Sequence, residues 1–190
     1  MKRAEFKLHL ERLLLEEYSK DGMEHVAKEI GGDADRFEVA WEIFCNGEPP
    51  LPQRMAWAMS MLMDEHPSLA IKYGATIAAR IPYMSHPAEL RMALRTLANN
   101  QVPLTAVGDL LQHLFPLLED PQTPIAIRVH AMQILYNISN IEPDFKRELL
   151  LVIEAHTDTG GPGFANRAGK LIPKLRREIR AMEADAGAAS

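Results

Sequence analysis

Arg54, Arg91 and Arg128 recur at intervals of 37 residues, and Arg167 follows 39 residues later. Each of the first three stands near the start of a helix-forming segment: QRMAWAMSM, LRMALRTLA and IRVHAMQIL. The segments between them are also helical in pattern: SLAIKYGATIAARI, PLTAVGDLLQHLFPLLED and PDFKRELLLVIEAH. A repeat of this length holds one pair of helices, too small to bury its apolar face alone. Pairs must therefore stack on one another, which constrains the chain to a one-dimensional array.

The punctuation agrees with this reading. Segments begin at or just after Pro50, Pro67, Pro87, Pro103, Pro124 and Pro143, and proline is tolerated in a first helical turn but not in an interior. Asp33 is suited to N-cap the segment that closes at Gly47, while Asp21-Gly22 and Gly31 read as earlier stops. No stretch alternates apolar and polar residues as a half-buried strand would. The prediction is an all-α fold, a right-handed α-α superhelix of about ten helices. It forms one domain over 1–180, with two N-terminal helices in 1–32 and helix-pair repeats over 33–180. The end, AMEADAGAAS from Ala181, is expected to fray, giving a disordered tail over 181–190.

The register explains a charged residue in an apolar segment. With Ile127 at the centre of a helical wheel turning about 100° per residue, Ala131, Ile134, Leu135 and Ile138 share its side. Arg128 falls at the edge of that stripe. There its stem can pack on the next repeat while its head reaches an acidic residue or a turn carbonyl. Asp120, in the preceding turn, is the expected partner.

LLEDPQTPIAIRVHAMQIL resembles a HEAT repeat, which places an Asp in the turn, then an aliphatic-Arg pair, a small residue three positions on and a Leu seven on. Asp120, Ile127, Arg128, Ala131 and Leu135 fill those positions. Leu90 and Arg91 match in the preceding unit, where Leu94 takes the small residue's place, and Trp57 takes it in QRMAWAMSM. Trp57 is accordingly expected in the core. The order from RFEVAWEIFCNGE to GFANRAGKLIPKL is also similar to a group of small bacterial HEAT-like proteins that often carry an adenylosuccinate lyase label. That lyase superfamily uses far longer chains and an SSxMPxKxN loop, which has no counterpart here.

Chemistry-bearing clusters are sparse. The seven histidines form no i, i+4 pair and no HExxH. Glu24-His25 and Glu65-His66 reverse the His-Glu order of HEAT-like di-iron hydroxylases. Glu154, His156 and Asp158, followed by Gly160, Gly161 and Gly163, read as a helix C-terminus. Cys45, the single cysteine, sits at a helix end beside Asn46-Gly47 and fits a reducing compartment. No catalytic, cofactor-binding or metal-ligating residue is assigned, and the expectation is a protein that is not an enzyme.

What remains is a surface. The second helices of such arrays line a concave face, and the register would expose Met55, Met92 and Val129; Ala58, Arg95 and Met132; Met59, Thr96 and Gln133; Leu62, Asn99 and Tyr136. So apolar a face calls for a partner, or for the amphipathic first helix carrying Phe6, Leu10, Leu13 and Leu14 as its cover. The expected partner-binding residues are Met59, Met92, Arg95, Thr96, Gln133 and Tyr136. The expected function is a non-enzymatic HEAT-like scaffold that captures a protein or peptide. The alternative is a DNA-binding or repair protein like the HEAT-like alkylpurine glycosylases, using Arg54, Arg91, Arg95, Arg128 and Arg167. A net charge of -5 weighs against nucleic acid, no apolar run reaches the roughly 20 residues of a membrane span, and the expected location is cytoplasmic.

Overall fold

The computed structural model describes residues 1–188 and contains ten α-helices and two short 3₁₀ turns, with no strand among the described residues. The helices divide between two compact units that meet in sequence at Gln101 and Val102. In the first unit, α1 (Arg3–Glu16) pairs with α2 (Lys20–Ile30), α3 (Ala34–Asn46) with α4 (Leu51–Glu65), and α5 (Pro67–Arg80) with α6 (Pro87–Asn99). In the second, α7 (Val107–Glu119) pairs with α8 (Ile125–Ser139), and α9 (Phe145–His156) with α10 (Gly161–Ala188). The 3₁₀ turns, Ile81–Tyr83 and Leu104–Ala106, follow α5 and precede α7.

Helix starts follow the prolines. Leu51, Pro67, Pro87 and Ile125 open their helices at or directly after Pro50, Pro67, Pro87 and Pro124. The Asp33 side chain accepts from the Arg36 amide at 2.9 Å, as an N-cap should. Two boundaries differ from the sequence reading. α1 ends at Glu16 and Ser19 caps the next helix by accepting from the Gly22 amide at 3.0 Å, so Asp21-Gly22 lies inside a first turn rather than at a stop. α10 runs past Ala181 to Ala188; of the tail expected to fray, residues 189 and 190 lie outside the described residues.

In the first unit α4 is central, packed by α1, α2, α3, α5 and α6. Met55, Ala56, Ala58, Met59, Leu62 and Met63 are all buried. This overturns the expected exposure of Met55, Ala58, Met59 and Leu62, because a helix enclosed by five neighbours keeps only a narrow open arc. The same holds for α6, where Met92 and Thr96 are 2% and 3% exposed and, beyond Pro87 at its start, Arg91, Arg95 and Asn99 face out. The Thr96 hydroxyl sits 3.4 Å from the Met63 sulfur. In the second unit Met132 is likewise buried. These apolar side chains are core, so no apolar groove needs the first helix as a cover; Phe6, Leu10 and Leu14 are buried where α1 packs on α2, α3 and α4.

Arg128 is a strut whose hydrogen bond goes to a carbonyl, and Asp120 acts on it only as a charge through space. Arg128 is 2% exposed; its Nε donates to the Leu118 carbonyl at 2.9 Å, and its guanidinium carbon lies 4.6 Å from the Phe164 ring centroid. Asp120 instead closes its own turn, accepting from the Gln122 amide at 2.8 Å and the Thr123 hydroxyl at 3.3 Å. The carbonyl wins because Leu118 lies in the last turn of α7, where carbonyls lack helical partners and attract a cation.

Two more arginines repeat the device. Arg54 donates to the Leu14 carbonyl in the last turn of α1 at 2.7 Å and stands 4.8 Å from the Tyr18 ring. Arg36 donates to the Glu29 carbonyl near the end of α2 at 2.7 Å and stands 5.2 Å from the Phe6 ring.

Candidate interaction surfaces

In the first unit, the open arc of α4 carries Gln53, Trp57, Ser60, Met61 and Asp64. Trp57 is half-buried rather than core, because its register position points to the α1–α2 connection. There Tyr18 meets it edge-on, with ring centroids 5.5 Å apart. Tyr18 is 58% exposed and its neighbour Leu15 54%. Arg54, stacked on Tyr18 and anchored to Leu14, fixes the tyrosine ring from its other contact. Tyr18, Trp57 and Arg54 thus form a pre-ordered cluster with an open aromatic edge.

Farther along α4, Asp64 pairs with Arg95 of α6 and accepts from the Asn99 side-chain nitrogen Nδ2 at 3.4 Å. Gln53 donates to Glu89 at 2.8 Å. Of the predicted contact residues in this unit, Arg95 alone is exposed, and its charge is matched.

A separate cleft of about 370 Å³ lies between α1 and α3, lined by Met1, Arg3, Phe6, Asp35, Arg36 and Val39. Both of its guanidiniums are engaged, Arg36 as above and Arg3 with Glu42 at 2.9 Å. Hydrogen bonds from Lys7 and then Arg3 hold Glu42 below the usual carboxylate range.

In the second unit Gln133 and Tyr136 do share the half-exposed face of α8. Arg167 of α10 donates to Gln133 at 2.7 Å, and Gln133 donates to Asn137 at 2.8 Å. The Tyr136 hydroxyl donates to Glu178 at 2.8 Å. Lys146 of α9, 6% exposed, reaches Glu178 and the Asn140 side-chain oxygen, each at 2.8 Å. Burial pushes Glu178 upward, but hydrogen bonds from Lys146 and Tyr136 outweigh it and leave the carboxyl below its ordinary value. Burial and then the bond to Glu178 push the Tyr136 phenol up.

The Lys146–Glu178–Tyr136 network joins three helices and went unseen in the sequence, since its members lie 10 and 32 residues apart. One signal was legible. Arg167, Lys170, Lys174 and Arg177 follow an i, i+3, i+7, i+10 pattern, which sets all four on one flank of a helix. Glu154, His156 and Asp158 form no ligand cluster, and no three His, Cys, Asp or Glu side chains converge as a metal site among the described residues. Cys45 is half-buried at the end of α3, and burial raises its thiol. No helix among the described residues is long and apolar enough to cross a membrane.

Stacked helical pairs with no strand among the described residues, tied by arginine-to-carbonyl struts, define an α-helical repeat fold. The particular family is the HEAT repeat domain, whose model matches residues 10–168, and the chain belongs to it. No curated protein and no solved structure matches the chain.

Proposed function

We propose that this HEAT repeat protein is a non-enzymatic scaffold that captures a protein or peptide segment on the outward arcs of its second helices. The observation that carries the reading is the Tyr18–Trp57–Arg54 cluster, with Tyr18 58% exposed. Trp, Tyr and Arg are the residues that most often dominate protein–protein binding energy, and a pre-ordered ring loses little entropy on contact. Arg95 in the first unit, and separately Gln133 and Tyr136 in the second, stay in the proposal as surface contacts. Met59, Met92 and Thr96 leave it, being buried.

The nucleic-acid alternative asks five arginines to offer their charge to phosphates. Arg54, Arg95, Arg128 and Arg167 already serve Leu14, Asp64, Leu118 and Gln133, which favours the scaffold. The test is affinity capture from native lysate with the wild type and with Tyr18→Ala/Trp57→Gln, matched for helicity by circular dichroism. A protein captured by the wild type and lost by the variant is the expected result. Capture of the same proteins by both, or of nucleic acid alone, would overturn the assignment.

A further inference from the structure

We infer that the flank of α10 beside α8 is a docking surface for an acidic protein segment, a site separate from the aromatic cluster of the first unit. On this flank Arg167 is held by Gln133, while Lys170, Lys174 and Arg177 are exposed. Among the described residues none of those three is in an ion pair, whereas Arg176, on the opposite flank, is paired with Glu154 at 2.6 Å. The one carboxylate on the basic flank, Glu178, takes its hydrogen bonds from Lys146 and Tyr136, and Arg177 acts on it only through space. Lys174 does have a neighbour: its Nζ lies 5.8 Å from the Tyr136 ring centroid. This contact aligns the cation without neutralising it.

The chain as a whole carries -5, so three exposed cations in a row without a direct ion pair are a local departure from its overall charge. At about 0.1 M salt the screening length is near 10 Å, and a ligand on this flank feels the local charges more than the distant net charge. Lys170 and Lys174 are separated by about 6 Å along the helix axis and Lys170 and Arg177 by about 10 Å. Carboxylates one turn apart on a partner helix repeat at the same interval, so two or three charge pairs can form in register. Gln133, Asn137 and the Tyr136 ring are half-buried alongside and add short-range contacts. A nucleic acid fits less well. A row of three cations neutralises few phosphates, and the remaining charge of the protein repels a long polyanion.

The inference rests on the scaffold reading and shares Gln133 and Tyr136 with its surface, but it does not depend on the Tyr18–Trp57–Arg54 cluster. The probe is a fluorescein-labelled oligoglutamate peptide, with an oligothymidylate of equal charge as competitor, read by fluorescence anisotropy on the full chain. The wild type should bind the peptide and lose affinity as salt rises from about 50 to about 200 mM. Lys170→Glu/Lys174→Glu/Arg177→Glu should weaken binding by about tenfold or more, the response expected when attraction becomes repulsion. Lys28→Glu, an exposed reversal on α2, should leave it unchanged. If the triple reversal loses helicity, the Gln triple at the same positions carries the test. No peptide binding by the wild type, undiminished binding by a folded triple variant, or tighter binding of the oligothymidylate would overturn the inference. Partners lost with Tyr18→Ala/Trp57→Gln but kept by the triple variant would leave the scaffold reading standing alone.

Discussion

The Nε of Arg128 donates to the Leu118 carbonyl at 2.9 Å while the Phe164 ring lies beneath its guanidinium. One side chain thereby joins the end of α7, the start of α8 and the start of α10. Arg54 and Arg36 do the same at the ends of α1 and α2, each over a tyrosine or phenylalanine ring. At Arg54 and Arg128 the recurring arginine is thus a cap for another helix's orphan carbonyls, held in plane by an aromatic face, whereas Arg167 donates to the Gln133 side chain. Arg91, exposed on α6, keeps the register without this role.

Removing this strut should be costly. Arg128→Ala leaves a cavity over Phe164 and an unpaired buried carbonyl, for an expected loss of about 2–4 kcal/mol in urea unfolding. Arg128→Lys should recover only part, because an ammonium lacks the planar stack. Asp120→Ala should cost about 1 kcal/mol, the scale of its turn bonds to Gln122 and Thr123. An Asp120→Ala loss equal to that of Arg128→Ala would restore the pairing expected from sequence.

Met92 and Arg95 separate core from surface on one helix. Met92→Glu should destabilise the first unit by about 4 kcal/mol or more, since a carboxylate would enter a site with no counter-ion. Arg95→Ala, which breaks a partly exposed pair with Asp64, should cost about 0–1 kcal/mol. Thermal melts of the two variants check the contrast; equal effects would mean that the α6 arc is wrongly assigned.

The acid limb of stability should report on Glu178. Its folded pKa is below its unfolded value, so ionisation favours the folded state. That contribution is present above the unfolded carboxylate range and is lost as pH falls through the lower folded value. Glu178→Gln should therefore flatten the decline of stability on acidification, with a lower plateau at neutral pH. Lys146→Ala, which strips the carboxylate of its buried cation, should cost about 1–3 kcal/mol at neutral pH, discounted for the partial exposure of Glu178. Denaturant midpoints across an acid pH series measure both.

Much of this fold was legible because its signals are local. Pro50, Pro67, Pro87 and Pro124 mark helix starts through a missing amide, and the 37-residue register marks the pairs through repetition. The surface was harder to read. A wheel gives the phase of the apolar stripe on α4 or α6 but not how many neighbours will cover the helix. The wheel therefore puts Met59, Met92 and Thr96 outside, whereas five flanking helices enclose the first and a wide buried arc holds the other two. Trp57 failed in the opposite direction, because nothing in QRMAWAMSM says that Tyr18 will stand beside it. The strut partner failed for a third reason: Leu118 acts through a backbone carbonyl, which has no residue signature.

Gly160 tests the packing beneath Arg128 from the other side. A Cβ at Gly160 would lie 2.5 Å from Cγ of Phe164, and Phe164 is fully buried under the guanidinium. The ring cannot retreat without displacing Arg128 from Leu118. Gly160→Ala should therefore cost about 1–3 kcal/mol by overpacking. Gly169, in the interior of α10 with nothing within 4 Å of an added Cβ, is the internal control. There alanine should stabilise by about 0.5–1 kcal/mol through helix propensity alone. Opposite signs in matched urea titrations are the expected result. Stabilisation at both positions would mean that Phe164 is free to shift and that Arg128 is held by its carbonyl rather than by the ring.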